Sequence, residues 1–201
     1  KAWTEPEPFA FNGKDSQSRY VNIWPRPLQK PHPPLFQPFA SSDNSIRWCA
    51  REGVTAVLPT MHVKHESRLA ALYAEQSGRA PGNGVAYLRD VVVAETDREA
   101  FDLWQQASRF AAESWFVPFG FRRGMIDPDT GEMPSDHEMV EGGYALVGSV
   151  DTVCRKLERM MATRPVDWIF AWTFNALIPH AKLMRSIELY QTQVLPLVIS
   201  G

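Results

Sequence analysis

Residues 34–53 read PLFQPFASSDNSIRWCAREG, and the assembly of the rest of the chain turns on this stretch. A short apolar run at 35–39 ends in the polar cluster Ser41-Ser42-Asp43-Asn44-Ser45, and an amphipathic turn or two then closes on Gly53. Side chains of this kind accept hydrogen bonds from the first unpaired N–H groups of a helix, which predicts a helix over 42–52 with Gly53 as its stop. A strand running straight into a helix N-terminus is also a ready anion site, because free N–H groups and the positive end of the helix dipole face outward there. The residues alone leave capping and anion binding both open. Asp43 weighs against the anion, since a carboxylate in the first turn repels phosphate unless it is turned away.

The same grammar repeats along the chain. VTAVLP predicts a buried strand at 54–58, followed by a helix over 65–76 that SGRAPGNG ends. VAYLRDVVVAE is the longest strand, 85–94, after which Thr96-Asp97 opens a helix with Phe101, Trp104, Ala107, Ala111 and Trp115 on one face. Ser149 caps VDTVCRKLERMMA, where Val153, Leu157 and Met160 form a stripe. VDWIFAW gives a fourth strand at 167–172, and a last helix starts near Pro179 and runs through HAKLMRSIELYQTQVL. Strands alternating with helices specify a parallel α/β protein with right-handed crossovers, the four strands expected in chain order. An open sheet and a barrel share this pattern.

Two stretches break the rhythm. Residues 1–33 suggest a hairpin around Asn12-Gly13, followed by PRPLQKPHPP, which its prolines hold extended. This basic PxxP segment reads either as a rigid lead-in to the next strand or as a ligand for an SH3-type domain. Residues 116–148 have no clear period and carry Gly120, Gly124, Gly131, Gly142 and Gly143, so a long functional or mobile loop is expected.

Composition bounds the function. A chain of 201 residues buries a core without a metal or disulfide staple. Lys and Arg number 21 against 23 Asp and Glu, with no long block of either sign, which argues against a dedicated nucleic-acid binder. No apolar run approaches ~18 residues and no secretory leader is evident, so a cytoplasmic protein without membrane spans is expected. Cys49 and Cys154 sit beside apolar neighbours and read as buried thiols rather than a disulfide. GxGxxG, GxxxxGK[ST] and GxSxG are all missing.

VNIWPRPLQKPHPPLF (21–36), the strand followed by Ser-Ser-x-x-Ser at 41–45, GSVDTVCRKL (148–157) and MRSIELYQTQVLPLV (184–198) together resemble the bacterial luciferase-like monooxygenase family. These are flavin-dependent (β/α)8 TIM barrels. The motifs follow the family's order over essentially the whole chain, yet they correspond only to its second half. The resemblance therefore implies an α/β fold comprising strands five to eight of the barrel, a single domain over 1–201, and a chain that is the C-terminal portion of a longer protein. The family's early-strand catalytic His and Cys have no counterpart here, so no catalytic residue is assigned.

By the same resemblance Ser41, Ser42 and Ser45 would hold the phosphate of FMN. Trp172, with Phe174, would stand at the ligand mouth, although strand aromatics are also ordinary core. Arg122 and Arg123 would belong to a lid, or be solvated loop charges. Glu95 would face the mouth or join the next helix's first turn. His62 and His65 read as helix-start residues rather than metal ligands. The implied activity takes reduced FMN from a separate flavin reductase, O2, and a small organic substrate that receives one oxygen atom. An F420-dependent oxidoreductase of the same superfamily is the alternative. A reading of another class is a non-catalytic half-barrel that binds flavin or packs against a partner, either a second copy or a complementing N-terminal half.

Overall fold

The computed structural model describes residues 1–173 and 175–199, the side chains of Arg122 and Ile199 excepted. The chain divides into two units, Lys1–Leu35 and Phe36–Gly201. In the first, β1 (Phe9–Asn12) and β2 (Gln17–Val21) form the expected antiparallel hairpin, closed by the Gly13 N–H donating to the Ser16 carbonyl. The Arg26 guanidinium ties the proline-rich segment back to the carbonyls of Ala2 and Pro6.

The second unit is built on five parallel strands: β3 (Phe36–Gln37), β4 (Thr55–Leu58), β5 (Val85–Val93), β6 (Ala145–Gly148) and β7 (Trp168–Trp172). Helices α1 (Asp43–Glu52), α2 (Val63–Ser77), α3 (Asp97–Ala111), α4 (Asp136–Glu141), α5 (Val150–Thr163), α6 (His180–Leu189) and α7 (Leu195–Ile199) connect or follow them. β5 is central. Its residues 85–87 pair with β4 on one side. Further along that same edge its residues 90–93 pair with β6, and on the other side residues 86–90 pair with β7.

Side chains alternate along a strand, so the register assigns faces. Ala86, Leu88 and Asp90 lie level with Trp168, Phe170 and Trp172, while Val57 is level with Ala86, and Phe36 with Thr55. All of these share one face. That face is concave, because the Phe36 ring, on one edge strand, meets Trp168 and Phe170, on the other, at centroid separations of 5.7 and 5.3 Å. Flat strands ~4.8 Å apart would hold those rings well beyond contact. Among the described residues no backbone pairing joins β3 to β7, so the sheet is curved but open.

Several expectations change. The fourth expected strand does pair with the third, and β6, which the sequence reading placed inside a loop, extends the opposite edge of β5 beyond the end of β4. β3 shrinks to two residues because Pro34 and Pro38 flank it and lack ladder donors. Trp115 leaves the buried face of α3, where Trp104 and Ala107 remain, because residues Ala112–Phe116 form a π-helical turn that rotates the stripe out of phase. Helix α2 begins at Val63, two residues earlier than expected, with His62 as its cap.

The long loop is also more ordered than its composition suggests. Ser135 and Glu138 form a capping box that starts α4, and Asp136 is held by Gln105 and Arg109 of α3. The Tyr144 hydroxyl accepts the Val63 N–H, while Val140 and residues 144–147 are buried. Hydrogen exchange should therefore divide the loop in two. Amides of 128–134 are expected to exchange fast and those of 144–148 slowly, and uniform protection across 116–148 would remove the basis for a lid.

Candidate functional site

The C-terminal ends of parallel strands gather the loops that can hold a ligand. At the end of β3, Phe39 adopts φ 53°, a left-handed conformation costly for a side chain with a Cβ, and Ala40 is buried with its N–H on the Val57 carbonyl. This fixes the approach to α1. Ser42 is the N-cap: its hydroxyl accepts the Ser45 N–H at 3.2 Å and lies 2.6 Å from the Ser45 hydroxyl. Capping is thus realised, while Ser41 and Ser42 stay exposed at the helix end. The objection raised by Asp43 is met by Arg68 of α2, whose guanidinium takes the carboxylate at 2.7 Å.

The segment following α3 crosses this mouth. Phe121 packs on Phe39 and on Phe116, and the Gly124 carbonyl accepts the His62 N–H at 2.8 Å. Lys64 grips Asp127 and Asp129, raising the ammonium pKa and lowering that of Asp127 through the shared hydrogen bonds. His62 is buried, with Nδ1 accepting the Lys64 N–H and Nε2 3.5 Å from Asp127. It docks the crossing segment onto the end of β4. Among the described residues no group of side chains has the composition of a metal site.

Trp172 stands on the other edge of the sheet from the three serines, and the cluster of Phe36, Trp168 and Phe170 spans the concave face between them. These strand aromatics are not core: Trp168 is 52%, Phe170 36% and Trp172 42% exposed. Phe174 lies outside the described residues, as does the side chain of Arg122; Arg123 is exposed. Glu95 turns away from the mouth to pair with Arg185 of α6. Cys49 and Cys154 are buried free thiols whose pKa values burial raises, which suits packing rather than reactivity.

Two polar groups here escaped the sequence reading. Asp90 lies level with Trp172 on the concave face, with one oxygen accepting the Trp104 indole N–H at 3.0 Å. Asn175, three residues beyond β7, is buried, and its Nδ2 has no acceptor among the described residues. A polar residue inside an apolar strand, as in LRDVV, was the available signal for Asp90. Asn175 has no comparable signal.

No family model matches the chain, and no curated protein matches it. Solved structures do. Monooxygenase RslO1 from Streptomyces bottropensis superposes with a TM-score of 0.74 at 21% identity, covering 97% of this chain and 57% of that one. The oxygenating constituent of 3,6-diketocamphane monooxygenase, a type II Baeyer-Villiger enzyme from the CAM plasmid of Pseudomonas putida in complex with FMN, gives 0.64 at 24% identity, covering 94% and 58%. The coenzyme F420-dependent tetrahydromethanopterin reductase from Methanopyrus kandleri gives 0.58 at 16%, covering 94% and 57%. Luciferase-like flavin-dependent monooxygenases are thus structural neighbours of this chain, and at these identities the likeness establishes the fold. The chain spans little more than half the length of the chains it matches.

Proposed function

We propose that this chain supplies strands five to eight of a luciferase-like, flavin-dependent monooxygenase that passes one oxygen atom from O2 to a small organic substrate. The observation that carries the reading is the exposed end of α1, set at the mouth of a parallel sheet whose concave face is lined with uncovered aromatic rings. Its donor set fits a phosphate. Unpaired N–H groups and the hydroxyls of Ser42 and Ser45 converge there, and Asp43 is neutralised by Arg68. The orphaned Asn175 Nδ2 supports a ring with acceptor atoms near the end of β7, since a buried donor without an acceptor costs about 1–3 kcal/mol.

In this reading Ser41, Ser42 and Ser45 bind the phosphate of FMN, and Trp172 walls the ring or the substrate. The segment over 116–132, pinned by His62 and Lys64, keeps water from the mouth. Bound reduced FMN, delivered by a separate reductase, would supply the oxygen chemistry. The F420-dependent reductase among the structural neighbours favours one second reading, a deazaflavin oxidoreductase on the same scaffold.

Titration of the chain with FMN and with F420, followed by absorbance and fluorescence, tests both. FMN binding with substrate-dependent oxygen uptake is the expected result. Binding of F420 alone selects the second reading, and binding of neither leaves a non-catalytic packing module. Ser45→Ala should weaken FMN by about 1–2 kcal/mol, the scale of a hydrogen bond to a charged group. Unchanged affinity would return the serines to capping alone.

A further inference from the structure

Of the strand residues assigned to the concave face, only Asp90 is ionisable; the others are Phe36, Thr55, Val57, small aliphatics and the β7 aromatics. Its neighbour Arg89 points to the opposite face, where both oxygens of Glu66 hold it. No ion pair reaches Asp90 among the described residues. Strands β4, β6 and β7 carry no charge at all. The charges of α3 are occupied elsewhere: Asp97 by Ser149 and Thr152, Arg98 by Asp102, Glu99 by Lys182 and Arg109 by Asp136. On α6, Arg185 is held by Glu95 and Glu188, and His180 is exposed.

Among the described residues the Asp90 carboxyl has one side-chain hydrogen bond, and it fixes the internal chemistry. The Trp104 indole can only donate, so Oδ2 must accept, and any proton on the carboxyl sits on Oδ1. We propose that Asp90 keeps this proton at neutral pH and offers it, as Oδ1–H, on the concave face beside Trp172, as a hydrogen-bond donor to a carbonyl oxygen of a flat ring bound there. That the ring is a flavin rests on the function proposed above. No bond to a heavy atom forms or breaks in this role, and the proton stays on the carboxyl. Burial raises the Asp90 pKa, the indole hydrogen bond and Arg89 opposing it in part.

Asparagine reproduces the protonated carboxyl, with its carbonyl oxygen accepting from Trp104 and its amide N–H taking the place of Oδ1–H. Two measurements decide. Urea unfolding of wild type and Asp90→Asn from about pH 4 to about pH 8 reads the proton. The folded state binds it more tightly than the unfolded state, so wild-type stability falls as pH rises from the ordinary aspartate value towards the raised folded one. The Asn variant skips that loss, and its midpoint should exceed wild type at neutral pH by a margin that closes in acid. A margin that does not change with pH overturns the proposal.

Fluorescence titration with FMN reads the donor. Asp90→Asn should bind within about twofold of wild type, and Asp90→Ala about tenfold more weakly. Normal affinity in the Ala variant overturns the donor role while leaving the flavin reading standing. No FMN binding by wild type overturns the flavin reading, and the ring named here with it.

Discussion

Replacing Glu66 by alanine is expected to remove about 3–5 kcal/mol of stability, the cost of leaving a buried charge without its partner. Glu66 and Arg89 are both fully buried. Arg89 Nη2 donates to the two carboxylate oxygens at 2.8 and 2.7 Å, and Arg164 Nη1 adds a third bond at 3.0 Å. The arginines spend their remaining donors on backbone: Arg89 on the Leu88 and Gly143 carbonyls, Arg164 on that of Gly142. Both guanidinium groups also lie against the Tyr87 ring. One carboxylate thus neutralises two cations that tether the Gly142-Gly143 turn to β5 and the end of α5. A domain is stable by only about 5–15 kcal/mol, so the Ala variant should be largely destabilised at 37 °C-type working temperatures or aggregate. Urea midpoints of wild type, Glu66→Ala and Glu66→Gln measure this, with Gln falling between. Glu52→Ala, in the exposed Arg51–Glu52 pair, is the control and should lose no more than about 1 kcal/mol. A loss that small for Glu66→Ala would mean that the turn opens and lets water reach both arginines.

What the sequence made legible follows the strength of each local signal. The strands at 55–58, 85–93 and 168–172 are largely apolar runs, each preceded within three residues by Gly or Pro, and their parallel pairing follows from burying such runs side by side. β6 has only four residues between Gly142-Gly143 and Ser149, and without sustained alternation it disappears into its glycine-rich surroundings. The capping box SDHE at 135–138 did announce α4, but the Gly and Pro around it outweighed it. The phase of α3 was unreadable beyond Ala111, because a π-turn leaves no periodic mark. In the site, Ser42 was legible as a cap because capping is local, and the relief of Asp43 by Arg68 was not, because that pair joins residues 25 positions apart. The same holds for Asp90, whose significance depends on facing Trp172 across a strand pair.

The isolated chain is expected to be self-associated, or covered by further polypeptide, rather than a lone folded monomer. Parallel sheets are normally buried on both faces, yet one face of β7 presents Trp168, Phe170 and Trp172 largely uncovered. Among the described residues β3 pairs only with β4 and β7 only with β5, so both edges retain unpaired N–H and C=O groups, which recruit other strands. Leaving on the order of 200–400 Å² of such apolar surface wet forgoes ~5–10 kcal/mol, comparable to the whole stability of a domain. The Phe36 ring folds over only part of the face, since the three β7 residues stay 36–52% exposed beside it. Light scattering of the 201-residue chain at micromolar concentration should therefore report a dimer or larger species. The double substitution Trp168→Thr, Trp172→Thr should move it towards monomer while keeping the β-propensity of the strand. A wild-type chain that scatters as a monomer and unfolds cooperatively would show that the aromatic face is stable in water. It would also remove the physical reason for assigning these strands to a larger barrel.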